Sequence, residues 1–223
     1  MATTKPAPKV APTPRRGRPA RFSREQIVEA VAEMLVADPS APLTIARAAE
    51  AVGAKPMSLY RHFADRDDLV AAVARHLFAG ARPRVAADAT WQVEVRAWMT
   101  AIYRQARRVP QIVQLLASGE SAEWLGDSAY LAGVFERAGY HDDRTLAEAV
   151  YWVATATMGH AMIDAAGRGQ VQTNRLRASL ERLDPDEAAL NERLIPQFET
   201  MRDHGFELVV DLTIAGLEQL LAR

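Results

Sequence analysis

Apolar residues recur along this chain at the three- and four-residue spacing of amphipathic helices. The first such stripe contains Ile27, Val31 and Leu35, and it follows a capping-box pattern at Ser23 and Gln26. Sustained alternation of apolar and polar residues is absent from the sequence, as are Asn-Gly and Asp-Gly turns, so nothing in the pattern predicts strands. We therefore predict an all-α protein.

Two short helices joined at a glycine are predicted to follow the first helix. Thr44 is a suitable N-cap for a helix that ends at Gly53, and Pro56 suits the first turn of the next. A further helix, with Asp65 as its N-cap, comes directly afterwards. Short helices around a glycine turn, braced by a helix on each side, are typical of a helix-turn-helix unit. The pattern predicts such a unit in residues 23–80.

Three regions of the chain differ in pattern. Residues 1–22 contain five prolines and few large apolar groups, which predicts a disordered basic arm. Residues 23–80 form the predicted helix-turn-helix domain, and residues 81–223 form a larger domain of longer helices. A mostly looped stretch is expected at 167–186. The helices expected in the larger domain span residues 89–108, 110–117, 121–138, 143–167, 186–201 and 204–222.

Composition narrows the class of protein. Of the 223 residues, 49% are hydrophobic and 25% are charged, which is typical of soluble globular proteins. The sequence has no cysteine, which excludes a disulfide scaffold, thiol catalysis and cysteine-ligated metals. No apolar run approaches the ~18 residues of a membrane span, and no signal-peptide core is present. We expect a cytoplasmic protein without a membrane partner.

Charge is divided unevenly along the chain. The first 24 residues hold seven Lys and Arg and no acidic residue. Residues 1–80 hold 12 Lys and Arg against 8 Asp and Glu, whereas residues 81–223 hold 15 against 20. This asymmetry is compatible with a solubilising tail or with a front end that binds a polyanion.

The helix-turn-helix segment resembles the tetracycline-repressor (TetR) family of transcriptional regulators. The resemblance is carried by Leu43-Thr44, Ala48-Ala49, Val52-Gly53 and the run Ser58 to Phe63, followed by Arg66 and Leu69. It implies an N-terminal three-helix DNA-binding domain and a larger helical ligand-binding and dimerisation domain. Thr90-Trp91, Val109-Pro110, Glu136 to Gly139 and Met158 to His160 are similar to the tetracycline-repressor type of C-terminal domain.

The predicted DNA contacts centre on the start of the recognition helix. Its first residues meet base edges in the major groove, while the family resemblance assigns Tyr60 and His62 to phosphates. The alternative for these two is packing against the first helix. Ile45 and Ala46 stand where the founding member has polar and basic residues, so specificity should rest on residues 55–58. The candidate DNA-binding residues are Arg15, Arg16, Arg18, Thr44, Lys55, Pro56, Met57, Ser58, Tyr60, Arg61, His62 and Arg66.

The arm carries a second resemblance. Residues 15–19, Arg-Arg-Gly-Arg-Pro, resemble the core of an AT-hook, in which arginines enter a narrow A·T-rich minor groove. Generic contact with phosphates is the preferred interpretation.

The larger domain contains aromatic and Met residues interleaved with isolated polar groups, as small-molecule sites do, although such stripes are more often core. Val153, Thr157, His160 and Asp164 share one helix face and could meet a ligand, a dimer seam or each other. No His lies between His76 and His141, which argues against tetracycline–magnesium sensing. The candidate ligand-binding residues are Trp98, Ile102, Tyr103, Leu115, Trp124, Phe135, Tyr151, Thr155, Met158 and Met162.

The function expected from these features is ligand-responsive DNA binding. The sequence has no Gly-rich phosphate loop, no His-Glu-x-x-His motif and no Gly-x-Ser-x-Gly elbow, so we expect neither an enzyme nor a cofactor. We expect a homodimer, a palindromic double-stranded DNA operator, and release by a small apolar or aromatic effector. The alternatives are an architectural dimer without an effector and a repressor that responds to a partner protein.

Overall fold

A computed structural model describes residues 22–118, 125–165 and 178–222, and these residues contain helices but no strand. The all-α prediction is confirmed. None of the helices in this described part is long and apolar enough to cross a membrane. The helices are α1 (Arg24–Ala37), α2 (Ile45–Ala51), α3 (Pro56–Leu59), α4 (Arg66–Phe78), α5 (Trp91–Arg108), α6 (Pro110–Ser118), α7 (Leu125–Arg137), α8 (Asp143–Ala165) and α9 (Pro185–Leu221).

The first four helices begin where local chemistry predicts. Ser23 and Gln26 form the full capping box of α1, with each side chain bonded to the other residue's backbone N–H. The side chains of Thr44 and Asp65 cap α2 and α4 by accepting from the backbone N–H of Arg47 and of Asp68, respectively. Gly53, after α2, has a φ of 61°, a left-handed conformation that glycine adopts without steric cost. The chain can therefore turn sharply into α3.

The first core joins the helices of this N-terminal unit and also includes residues from the following domain. Val109, the residue between α5 and α6, and Ile112, in the first turn of α6, are fully buried in it, and α6 packs against α4. The division at residue 80 stays a prediction, but the helix-turn-helix unit shares its core with the following domain. The large residues of this core are Ile27, Val31, Leu35, Leu43, Leu59, Phe63, Leu69 and Val73.

A second core holds the larger unit together. Here α5 packs against α7, α8 and α9, so that α5 lies among the other helices rather than on one side of them. A smaller cluster at the α6 end of α5 contains Tyr103, Ala106, Val113 and Ala161. The large side chains of the second core are Trp98, Met99, Ile102, Leu131, Phe135, Leu146 and Leu217.

The last part of the chain differs from its prediction. The sequence predicts two helices, 186–201 and 204–222, but α9 is one helix from Pro185 to Leu221 that contains Pro196 and Gly205. A glycine costs a helix only about 1 kcal/mol relative to alanine, which the packing of α9 against α5 and α8 offsets. Residues 178–180, in the predicted loop, are also helical.

Candidate functional site

The leading edge of α3 projects into solvent. Lys55, Pro56 and Met57 are exposed, Met57 by 76%, whereas Leu59 is buried in the first core. Ser58 donates its hydroxyl proton to the carbonyl of Lys55 over 2.6 Å, which leaves its oxygen only as an acceptor. The predicted base-reading residues therefore form one accessible edge, with Ser58 restricted to accepting.

The residues that follow α3 lie at the border of the same surface. Tyr60 is 50% exposed and does not pack into the core, and His62 is half-buried. Arg61 is exposed. This placement favours contact with a partner for Tyr60 over the alternative of packing against the first helix.

Thr44 and Arg66 have structural bonds in addition to their predicted DNA role. The Thr44 oxygen accepts from the Arg47 N–H over 3.2 Å, a bond that does not use its hydroxyl proton. Arg66 Nε donates to the Leu43 carbonyl over 3.2 Å, which fixes the start of α4 to the segment before α2. Its Nη1 also lies 3.9 Å from Asp67 Oδ1, so the guanidinium has two contacts within the chain.

Arg24 joins α1, α3 and α4 at one point. Its guanidinium donates to the His62 carbonyl and to both Asp68 oxygens, with Nη2 2.6 Å from Oδ1. It also lies 4.4 Å from the centre of the Phe63 ring, a cation–π contact. The hydrogen bond from Arg24 lowers the pKa of Asp68, and Asp68 in turn accepts from the Ala64 N–H over 3.0 Å. This Arg24 clamp fixes the end of the α3 segment.

The predicted ligand-binding residues separate into different places. Trp98, Ile102 and Phe135 lie together in the second core, and Tyr103 with the half-buried Met158 and Met162 forms the smaller cluster. Leu115 instead packs against the first core, which corrects its placement inside the larger unit. Trp124 lies outside the described residues, as do Arg15, Arg16 and Arg18.

Tyr151 and Thr155 require a correction. Both lie on an exposed face of α8, Tyr151 by 71%, so they do not line the interior of the chain as predicted. The apolar residues of α8 share more than one face, and periodicity alone did not identify which face meets α5.

The polar face of α8 turns inward and makes contacts within the chain. The buried Thr157 donates to the Val153 carbonyl over 2.7 Å. Asp164 accepts from the Tyr103 hydroxyl and lies 3.8 Å from Arg107. Burial, reinforced by Asp164, raises the pKa of Tyr103 to about 12. Thr157 and Asp164 thus have hydrogen-bond partners within the chain.

His160 lies among aromatic rings. Its ring centre is 5.6 Å from that of Tyr103 and 5.5 Å from that of Phe206, and those two rings stack at 3.7 Å. Gly205 allows this approach, because a Cβ there would lie 3.3 Å from His160 Cε1. Gly205 thus provides space for the histidine.

Two polar groups of the larger unit were not identified from sequence. Glu94 is buried on α5 and accepts from Arg137 over 2.8 Å and from Tyr130 over 3.5 Å. Gln111, on α6, donates from Nε2 to the Leu35 carbonyl in the last turn of α1, over 3.2 Å. Gln111 therefore bonds α6 directly to the helix-turn-helix unit.

No protein-family model matches the chain, and no curated protein matches it. Solved structures do. Apo ActR from Streptomyces coelicolor aligns with a TM-score of 0.75 at 19% identity, covering 91% of this chain and 98% of its own. A possible TetR-family regulator from S. coelicolor A3(2) aligns with a TM-score of 0.72 at 24% identity, covering 89% and 100%. The chain has the fold of TetR-family regulators.

Two complexes are among the structures with this TetR fold. BioQ with its double-stranded DNA operator aligns with a TM-score of 0.59 at 21% identity, covering 87% of this chain and 99% of its own. ActR in complex with actinorhodin aligns with a TM-score of 0.72 at 20% identity, covering 89% and 96%. The sequence resemblance is confirmed as a likeness of fold, including the N-terminal helix-turn-helix and the larger helical domain.

Because of the Arg24 clamp, the stability of the TetR-fold unit should depend on pH. Because the pKa of Asp68 is lower in the folded chain than its usual 3.8, the ion pair stabilises the fold above that value. The stabilisation is lost as the pH falls through the lower, folded-state pKa. Asp68→Asn should therefore cost about 0.5–1 kcal/mol near neutral pH, since the pair is one-third exposed, and less below about pH 4.

Urea unfolding at several pH values measures this difference. Glu148→Gln is the matched control, because it removes the acid of the exposed Arg144–Glu148 pair, whose 2.8 Å bond joins residues of one helix. Its cost should stay under about 0.5 kcal/mol. A cost for Asp68→Asn no larger than the control, or one that grows in acid, would contradict the role of the clamp.

Proposed function

We propose that the chain is a DNA-binding transcriptional regulator of the TetR family that responds to a small molecule. It would repress transcription while bound to a palindromic operator. Binding of a small apolar or aromatic effector would make it release that operator. The observation that carries the DNA-binding part is the exposed edge of α3, held in place by a buried Leu59 and by the Arg24 clamp. The BioQ–operator complex supports it, since that protein shares the fold.

The proposed reading of DNA divides base contacts from phosphate contacts. Lys55 would donate to guanine or to phosphate, Pro56 and Met57 would contact a thymine methyl, and Ser58 would accept from a base. Phosphates would set the register without reading sequence. The residues proposed for phosphate contact are Thr44, Tyr60, Arg61, His62 and Arg66, with Arg15, Arg16 and Arg18 of the arm.

A homodimer is proposed from an exposed apolar surface on α8 and α9. This seam consists of Tyr151 and Trp152 on α8 and Leu208 and Leu212 on α9, which are between 40% and 71% exposed. Contiguous exposed apolar side chains mark interaction sites. A second copy is the natural occupant, because a palindromic operator requires two equivalent reading heads.

The proposed response to an effector uses α6 as the connection. This helix packs against α5 and α8, and its Ile112, together with the preceding Val109, lies in the first core. Gln111 adds its bond to the end of α1. A molecule that alters the packing of α5 and α8 would shift α6 and thereby the two reading heads. ActR bound to actinorhodin supports an effector for this fold.

Selection of sites from random duplex DNA, at a stated salt concentration, tests the DNA-binding proposal. We expect a symmetric site. Lys55→Ala should weaken binding by ~1–3 kcal/mol and relax preference at one position if Lys55 contacts a base. Tyr60→Phe should weaken binding to all sequences alike, since a hydrogen bond to phosphate carries no sequence information.

Arg144→Ala is the control for the removal of an exposed group on α8, and it should leave operator affinity unchanged. Recovery of no symmetric site from the selection would remove the central proposal. If Lys55→Ala lowered the affinity for every sequence equally, Lys55 would be a phosphate contact and not a base contact.

The seam is tested by Leu212→Asp. A buried, unpaired carboxylate is costly, so this change should convert a species of twice 24.5 kDa into one of 24.5 kDa. Light scattering after size-exclusion chromatography measures the mass. Val93→Asp is the matched control, because Val93 on α5 is similarly exposed but lies outside the seam. Equal masses for Leu212→Asp and the unchanged chain would exclude this surface as the dimer contact.

The effector response is tested by a thermal-shift screen followed by operator titrations. Compounds that raise the Tm of the free protein should lower operator affinity, and operator should lower compound affinity by the same factor. Compounds that bind without changing operator affinity would favour the architectural dimer. A screen without any binding compound would favour it too.

A further inference from the structure

The larger unit contains a buried hydrogen-bond donor for which the described residues provide no acceptor. Trp98 is 3% exposed, and its Nε1–H makes no hydrogen bond with any residue that the structure describes. Within those residues, the comparable atom is Gln111 Oε1, whose side chain belongs to the contact between α6 and α1. Natural proteins seldom leave buried polar atoms unsatisfied, because the lost bond to water is not replaced.

The helices around Trp98 provide few free hydrogen-bond acceptors for its indole N–H. Helix carbonyls are engaged in their own i to i+4 bonds, and Trp98 lies within α5, among helices. The Glu94 bonds from Arg137 and Tyr130 both end on Oε2, and the buried Thr157 hydroxyl donates to the Val153 carbonyl. Neither Glu94 nor Thr157 accepts from Trp98, nor does any other residue that the structure describes. We therefore expect a bound molecule to supply the acceptor for Trp98.

We propose that Trp98 is the specificity-determining donor of the effector site, and that the effector carries a carbonyl or ether oxygen that accepts from Trp98 Nε1. This inference rests on the proposed function and narrows its effector class. The surrounding side chains, including Phe135 and Leu131, are apolar and select a hydrophobic skeleton.

Charge near Trp98 selects a neutral molecule. The Glu94 carboxylate lies one turn away on the same helix and pairs with Arg137 at 2.8 Å. The pair has little net charge with which to compensate the desolvation of either an anion or a cation. The class that fits is a neutral ring compound with one accepting oxygen, rather than a carboxylic acid or an amine.

Matched pairs of probes test the donor directly. The pairs are 1-tetralone and tetralin, 9-fluorenone and fluorene, and benzophenone and diphenylmethane, which differ in the oxygen but keep the skeleton. The indole N–H signals of the four tryptophans are followed by NMR during titration of the full chain. At least one ketone should bind about 5- to 10-fold more tightly than its hydrocarbon and shift the Trp98 signal downfield.

Trp98→Phe removes the donor and assigns its signal. The ketone and its hydrocarbon should then bind equally, and comparing this ratio between proteins cancels the effect of the smaller ring on packing. Trp91→Phe is the control, because Trp91 also packs in this core, against Phe135, and the ratio should remain. If Trp98→Phe does not fold, single substitutions of the other three tryptophans assign the Trp98 signal by elimination.

Several results would overturn the proposal. They are equal binding of every ketone and its hydrocarbon, absence of binding by all the ketones, and an unmoved Trp98 signal when a ketone binds. Operator binding is measured on the same samples, so that the two proposals can fail separately. Specific DNA binding without discrimination between the probes overturns only the role of Trp98, whereas absence of specific DNA binding removes the regulator itself.

Discussion

A four-residue helix cannot hold its shape alone in water, because isolated helices need roughly 12–15 residues to become even marginally stable. The α3 helix depends on what lies behind it. Leu59 and Phe63 fix one side in the first core, and Arg24 bonds to the carbonyl at the end of the segment and to Asp68 on α4. This arrangement leaves Lys55, Pro56 and Met57 on a defined and accessible edge, which is what a reading head needs.

The same dependence on neighbours connects the two halves of the chain. The core that supports α3 includes Ile112 of α6 and the preceding Val109, and α6 also packs against α5 and α8. The Gln111 bond to the last turn of α1 adds a directional contact across this boundary. A change in the larger unit therefore has a short physical route to the edge of α3 that is proposed to read DNA.

Local signals were predictable from the sequence. The caps at Ser23, Thr44 and Asp65 and the turn at Gly53 each depend on a few adjacent residues, and the structure has them where the pattern indicated. The exposed edge of α3 followed from the same reasoning, together with the family resemblance.

Features that depend on distant contacts were not predictable. Arg24 and Asp68 are 44 residues apart, and Glu94 and Arg137 are 43 apart, so no spacing connects them. Tyr151 was placed inside because both sides of α8 carry apolar residues, and a helix at a dimer seam has the same pattern as a helix in a core. The break expected between helices 186–201 and 204–222 is wrong for a similar reason, since the packing of α9 against α5 and α8 is visible only in the fold.

The central claim is that two reading heads are held at a fixed distance and bind two half-sites together. Operator affinity measured after inserting base pairs between the half-sites tests it most directly. An insertion of about five base pairs turns one half-site to the opposite face of the duplex, since one helical turn is about 10–10.5 base pairs. Affinity should then fall to that of a single half-site. Unchanged affinity after the insertion would contradict the account.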